Sequence, residues 1–204
     1  DSRSAAVIAR ASASAAVGAM LREMHATGTL QPGMVKAGLS ADQRSDLMAW
    51  VPAAAEQPPA LRVLLTALDA LLLALSSRPE VSSDLGGVKL MRAEAQCTVY
   101  PGNGSRYIRH TDDAKKKLRR LTCIYYANPE WRSKAADGGE LRMHLKPPRG
   151  GPEEAKDVAP LADRLLLFWS DARVPHEGLP THTPRYAGSV WYHDARGIAE
   201  QLQD

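Results

Sequence analysis

A single phenylalanine, Phe168, and two cysteines, Cys97 and Cys123, are all that 204 residues hold of those types. With aromatics at 5% against 44% hydrophobic residues overall, a core must be built on Leu, Val, Ala and the few Trp and Tyr side chains. The two cysteines form no Cys-x-x-Cys pair and no disulfide framework; they favour a reducing intracellular compartment, and each reads first as a buried thiol. A large excess of one charge is missing too. The formal net charge of +3 is too small for a chain living on phosphate backbones, so nucleic acid is not the expected partner. The longest apolar run, Leu61 to Leu75, is interrupted by Arg62 and Asp69 and falls short of the ~20 residues a bilayer span needs, so no membrane association is expected. The chain opens at Asp1 with neither Met nor a charged-then-apolar leader, and reads as a region trimmed of an upstream targeting segment. The expected compartment is the cytoplasm, with the nucleus second. Without an internal repeat or a heptad seam, one domain over residues 1–204 and a monomer are the expectations.

What is present divides near residue 87. Ser4 to Thr27 is Ala-rich, with Val7, Val17, Met20, Leu21 and Met24 at helical spacing and Gly28 as a stop. Leu30 to Pro59 mixes Gly, Pro and polar residues around a short β-prone Leu47 to Val51. Pro58 and Pro59 then open Ala60 to Ser76, where Leu61, Leu64, Leu65, Leu68, Leu71, Leu72 and Leu75 recur every three or four residues, a stripe suited to core packing. From residue 88 to 204 short β-prone runs take over: Lys89 to Tyr100, Tyr107 to Thr111, Leu118 to Tyr126, Glu140 to Leu145, Arg164 to Ser170 and Tyr186 to His193. Turns such as Pro101-Gly102-Asn103-Gly104, Asp137-Gly138-Gly139 and Pro147 to Pro152 separate them. The residues therefore predict a helical support region with short strands over 1–87 and an antiparallel barrel or sandwich over 88–204.

On a strand, residues two apart face the same way, so the His110 imidazole and the Asp112 carboxylate converge on one ion while Thr111 turns aside. A third ligand can come only through tertiary folding, and His176, where the last strong strand begins, completes two His and one carboxylate. That set leaves one side of a metal open, as Fe(II) needs when it must admit a bidentate cosubstrate and oxygen together. Zinc hydrolysis is less well served, because there is no His-Glu-x-x-His helix. By itself His-x-Asp is a weak signal, since it arises by chance and a lone His is more often packed or on the surface. Arg185, nine residues beyond His176, strengthens it. A barrel-facing guanidinium matches a carboxylate fork, so a dicarboxylic keto acid could chelate iron at one end and anchor at Arg185 with the other. The plain alternative is a surface ion pair.

These residues resemble a known family, the cytosolic prolyl 4-hydroxylases of the oxygen-sensing type within the Fe(II)/2-oxoglutarate dioxygenases. The resemblance rests on Tyr100-Pro101-Gly102-Asn103-Gly104, Tyr107-Ile108-Arg109-His110-Thr111-Asp112, Leu121-Thr122-Cys123-Ile124-Tyr125-Tyr126 and Gly138-Gly139-Glu140-Leu141-Arg142. It continues through Asp163 to Asp171, Pro175-His176-Glu177, and Arg185-Tyr186-Ala187 to Trp191-Tyr192, with weaker similarity at Arg44-Ser45-Asp46 and Trp50. It implies an α+β, mainly β fold: a double-stranded β-helix, or jelly roll, buttressed by N-terminal helices. It also implies Fe(II) held by His110, Asp112 and His176, with 2-oxoglutarate and oxygen as cosubstrates and ascorbate as an activity-sustaining reductant. The distal carboxylate of 2-oxoglutarate would meet Arg185 and Tyr126, with Tyr100, Ile124, Leu141 and Ser189 around the rest of it. Trp191, Arg119, Tyr107 and Trp50 lie where similar enzymes grip a proline-containing protein.

The activity implied is hydroxylation of a protein proline in oxygen sensing, on one of two substrates: the adaptor subunit of a cullin-type ubiquitin ligase, or a hypoxia-inducible transcription factor. The chain departs from the animal oxygen sensors after Asp112, where Asp113 to Arg120 is strongly basic, and again at Gly178 and over Thr181 to Pro184. A basic loop favours a folded acidic partner, so the adaptor is preferred here. Two readings of other classes are a nucleic-acid demethylase, for which no second basic stripe with interleaved aromatics is present, and a non-catalytic binding module, against which stand the three ligands and Arg185.

Overall fold

The computed structural model describes residues 7–10, 14–33, 43–53, 56–113, 119–147 and 151–196. Two antiparallel sheets dominate it. The larger is built from β1 (Val7–Arg10), β2 (Gln31–Pro32), β3 (Leu47–Pro52), β4 (Leu90–Tyr100), β6 (Arg119–Tyr126), β9 (Arg164–Trp169) and β11 (Arg185–Asp194), in the order β1-β9-β6-β11-β4-β3-β2. The smaller runs β5-β10-β7-β8, from β5 (Ser105–His110), β7 (Leu141–Leu145), β8 (Glu154–Val158) and β10 (His176–Thr181). From β4 onward the chain crosses between the sheets, β4, β6, β9 and β11 in the larger and β5, β7, β8 and β10 in the smaller. That is the winding of a jelly roll, the double-stranded β-helix expected.

Strand parity explains why so many of these segments are apolar throughout. Odd-numbered residues of β4, β6 and β9 (Cys97, Val99, Cys123, Tyr125, Leu165, Leu167), with Val190 and Tyr192 of β11, face the helices in one buried cluster. Their alternates Ile124, Tyr126, Leu166, Phe168 and Ala187 face the smaller sheet, meeting Leu141, Met143, Val158 and Val174 in a second. A sheet covered on both faces reads as a continuous hydrophobic run rather than an alternation.

Of three helices among the described residues, α1 (Ser14–Ala26) and α2 (Pro59–Ser76) cover the outer face, and α3 (Pro79–Leu85) packs against α2. Helix α1 buries Val17 and Leu21 and ends in a Schellman cap, in which the Gly28 amide donates to the His25 carbonyl and the Thr29 amide to that of Met24. By length and mean hydropathy, 1.7 over 18 residues, α2 passes for a membrane span, against expectation. Its Leu61, Leu64, Leu65, Leu68 and Leu72 are nevertheless only 1–2% exposed, spent on the cluster against the sheet. Its Asp69 fixes the helix to that sheet by accepting from the Tyr192 hydroxyl at 2.6 Å and from the Arg92 guanidinium at 3.1 and 3.2 Å.

Several expectations need correction. The Ala-rich stretch is not one helix from Ser4 to Thr27. Val7–Arg10 instead pair with β9, Val7 opposite Leu167, because the free edge of β9 offers ladder hydrogen bonds that outweigh a weak helical preference; residues 4–6 and 11–13 lie outside the described residues. Strands β8 and β10 and the short α3 were not anticipated. Glu154–Val158 carries the surface-exposed composition of an edge strand, and Pro180 disguises β10. His176 therefore begins its own strand rather than heading the last one. Leu118 and the lysines from Lys115 to Lys117 fall outside the described residues, as do residues 148–150 of the Pro147 to Pro152 turn.

Candidate metal centre and cosubstrate pocket

Strand β5 ends at His110, and β10 begins at His176 directly across from it. Asp112 is not on the strand with His110, as parity had suggested, but in the turn beyond it, where the chain leaves the sheet. The three still converge. His110 Nε2 stands 3.8 Å from Asp112 Oδ1, His176 Nε2 stands 3.7 Å from Asp112 Oδ2, and one ligand atom from each residue falls within 4.8 Å of the others. Among the described residues this is the one His/Cys/Asp/Glu cluster with metal-binding spacing.

Hydrogen bonds set the chemistry of each donor. His110 Nδ1 lies 2.8 Å from the Ile108 carbonyl and His176 Nδ1 lies 3.1 Å from that of Val174. A carbonyl only accepts, so both Nδ1 atoms carry hydrogen and both Nε2 lone pairs point at Asp112, the tautomer a metal requires. Burial, helped by the neighbouring His176, pulls the His110 imidazole down to about 4, which keeps it neutral near pH 7. Burial would raise the Asp112 carboxyl, but His176, His110 and the Thr122 hydroxyl outweigh it and hold it below its ordinary value. Thr122 Oγ1 donates to Asp112 Oδ2 at 2.7 Å and meets Ser170 Oγ at 2.8 Å. The only phenylalanine in the chain packs edge-on against His176, with centroids 4.7 Å apart, and Tyr107 stacks on His110 at 3.7 Å.

The cluster borders a cavity of about 160 Å³, and strand parity selects its other walls: Gln96, Thr98 and Tyr100 from β4, Thr122 and Ile124 from β6, and Arg185, Ala187, Ser189 and Trp191 from β11. Leu141, Tyr107, Trp50 and Arg119 also line it, as do Arg44, Gly178 and, contrary to expectation, Thr111; with Tyr126 behind Arg185, every site residue singled out in the sequence arrives at or beside one cavity. Arg185 is only 6% exposed. Its Nη2 donates to the Tyr126 hydroxyl at 3.1 Å, its guanidinium lies 4.8 Å from the Tyr100 ring centroid, and its Nε is buried without a protein partner. Gly139 makes room for it, since a Cβ there would come within 3.0 Å of Arg185 Cδ and Thr181. A buried cation with no acidic partner among the described residues is not the surface ion pair of the plain alternative; it fits an anionic ligand. Burial raises the Tyr100 and Tyr126 phenols, so both stay protonated donors.

At the outer rim Trp50 and Trp191 pair at 5.5 Å, and Arg119 lies 4.4 Å over Trp191 while donating to the Asp112 carbonyl at 3.4 Å. Arg119 is thus folded onto the site instead of waving in solvent. Sequence reasoning missed Thr122, Gln96 and Thr98 as cavity residues, although each shares a strand face with a residue it had picked. It also gave no role to Arg44, which is clamped to the buried Asp46 at 2.6 and 2.8 Å and lies 4.8 Å from the Tyr107 ring centroid.

Residues 95–193 match the model of the 2OG-Fe(II) oxygenase superfamily. The chain is 40% identical over 185 residues to "Prolyl hydroxylase EGLN3" of Homo sapiens, spanning 88% of this chain and 73% of that one. A solved prolyl hydroxylase from Trichoplax adhaerens, in complex with a hypoxia inducible factor peptide fragment, superposes with a TM-score of 0.81 at 30% identity, covering 95% of this chain and 86% of that one. A prolyl-4-hydroxylase from Pseudomonas putida gives 0.74 at 28% identity, covering 93% of each chain. With identity of this order over nearly its whole length, and with a two-histidine, one-carboxylate cluster in place, the chain belongs to the 2OG-Fe(II) oxygenase superfamily and, within it, to the family of the EGLN prolyl hydroxylases.

Proposed function

We propose that the chain hydroxylates a proline of a hypoxia-inducible-factor-type protein, with Fe(II) and 2-oxoglutarate, in oxygen sensing. The observation that carries this reading is one cavity with three converging metal donors on one wall and, on another, the buried Arg185, which has no acidic partner among the described residues. His110, Asp112 and His176 would hold the iron, their donor set fitting Fe(II) with positions left open. Iron, 2-oxoglutarate and oxygen together supply the oxidising power that turns a proline C–H into C–OH, with succinate and carbon dioxide as the other products.

The protein binds, orients and excludes water. Arg185 offers the distal carboxylate a planar fork and shares it with the Tyr126 hydroxyl, fixing the long axis of the acid. Tyr100 and Ser189 present hydroxyls along its length, while Ile124 and Leu141 keep water from its carbon chain. Thr122 and Ser170 hold the Asp112 carboxylate in one rotation. Trp191, Trp50 and Tyr107 give the substrate proline an aromatic wall, and Arg119, oriented by Trp191, is placed to pair with an acidic residue of the substrate. Ascorbate serves as the reductant that sustains turnover. The cytoplasm, with the nucleus, is the proposed compartment, in keeping with buried and unpaired Cys97 and Cys123.

None of the relatives named above supports the preference for a ubiquitin-ligase adaptor. The Trichoplax relative carries a factor peptide instead, and the basic run that motivated the adaptor lies mostly outside the described residues. The test is succinate release with Fe(II) and ascorbate, wild type against His176→Ala, offering a factor-type proline peptide or an intact adaptor. Release that needs iron, His176 and the peptide supports the proposal. Turnover of the adaptor alone would restore the other substrate, and no iron-dependent release with either would leave a binding module.

A further inference from the structure

We infer that Gly178 sets the breadth of cosubstrate specificity: the space left by its missing side chain beside Tyr100 admits 2-oxo dicarboxylic acids bearing a methyl-sized substituent between their carboxylates. The inference rests on Arg185 being the cosubstrate anchor.

Gly178 follows His176 by two residues on β10, shares its face, and lines the cavity. Its cross-strand partners are Tyr107 on β5 and Leu141 on β7, both cavity residues. The β5–β10 register shifts on either side of Gly178, but the backbone conformation there does not require glycine. Its φ lies outside the left-handed region, unlike those of Gly138 and Gly139 nearby. A Cβ would stand 3.6 Å from Tyr100 Oη, 3.6 Å from the Tyr107 backbone nitrogen and 3.7 Å from Tyr100 Cε1, all ordinary contacts. Glycine weakens a strand and packs against nothing, so at a position where alanine fits without strain, its effect is the room it leaves.

That room lies between the two ends of the pocket. Tyr100, which bounds it, carries the Arg185 guanidinium over its ring, and His176 opens the same strand face. An acid reaching from the metal ligands to Arg185 passes Gly178 with its chain carbons, where a branch would point.

The experiment is calorimetric binding of 2-oxoglutarate, 3-methyl-2-oxoglutarate and 4-methyl-2-oxoglutarate to Mn(II)-loaded protein, for wild type, Gly178→Ala and Gly178→Val. A pocket discriminates a single methyl by roughly tenfold or more when it has no space for it. Wild type should therefore bind at least one methylated acid within roughly fivefold of the parent, and valine should weaken that acid roughly tenfold while leaving the parent within roughly threefold. Alanine, whose Cβ meets only ordinary contacts, should show the same selective loss at smaller size and decides the matter if valine disturbs folding. Rejection of both methylated acids by wild type, or equal weakening of all three acids in the variants, overturns the inference. Failure of 2-oxoglutarate itself to bind wild type would instead remove the anchor reading, and this inference with it.

Discussion

His176 faces His110 across the β5–β10 ladder, their ring centroids 4.4 Å apart, and each ring is pinned through Nδ1 by the carbonyl two residues earlier in its own segment. The pairing register thus fixes the spacing of two metal donors before any metal arrives, leaving Asp112 as the one ligand whose orientation depends on a side-chain partner. That partner is Thr122.

Thr122→Val replaces the hydroxyl by a methyl and keeps the branched shape of the side chain. Metal affinity should fall by roughly 10- to 100-fold, as for other residues that orient a ligand, with the fold intact by circular dichroism. Mn(II) titration followed by electron paramagnetic resonance measures this, and an unchanged affinity would mean that Asp112 is held by the turn alone. Asp112→Ala should abolish tight metal binding altogether.

Arg185→Lys keeps the charge but loses the fork. The KM for 2-oxoglutarate should rise at least tenfold, on the order of the 1.5–3 kcal/mol carried by hydrogen bonds to charged groups. Tyr126→Phe, which deletes one shared hydroxyl, should cost less. Equal KM values for Arg185→Lys and wild type would remove Arg185 from the cosubstrate site.

Leu64→Ala empties a position 1% exposed between α2 and the large sheet. Urea unfolding should show a loss of about 2–5 kcal/mol. Val63→Ala, on the exposed side of α2, should change stability by less than about 0.5 kcal/mol.

Asp157 accepts from Arg142 at 2.7 and 2.9 Å and pairs with Lys134; against the cost of burial, these bonds bring its carboxyl from 3.8 to about 2. A depressed acid contributes stability above its unfolded value and loses it as pH falls through the folded one. Asp157→Asn should therefore be less stable than wild type at pH 7, by up to about 1 kcal/mol for a partly exposed pair. The gap should narrow as pH drops from about 4 toward 2. Denaturant midpoints across that range provide the check, and a constant gap would assign the effect to packing.

Local pattern made much of this legible. The leucine stripe of α2 needs only helical period, and the runs that became β4, β6, β9 and β11 needed only length, β-branched or aromatic content and flanking turns. β10 was hidden because Gly178 and Pro180 mimic a loop, and β1 because Ala-rich chain favours helix until a strand edge is there to pair with. The ligand triad was legible as residue types, although the geometry first imagined for it, His110 and Asp112 on one strand face, was not the geometry found.

The sequence by itself determined the residue types, the strand parity that puts Arg185, Ala187, Ser189 and Trp191 on one face, and the resemblance that joins them into a family pattern. Only the tertiary structure decided that His176 lies across from His110, that Thr122 rather than a strand holds Asp112, and that Arg185 is buried with no acidic partner among the described residues. The reason is physical: parity and period are properties of neighbours along the chain, whereas register between strands 66 residues apart, from His110 to His176, is set by which faces can be buried together.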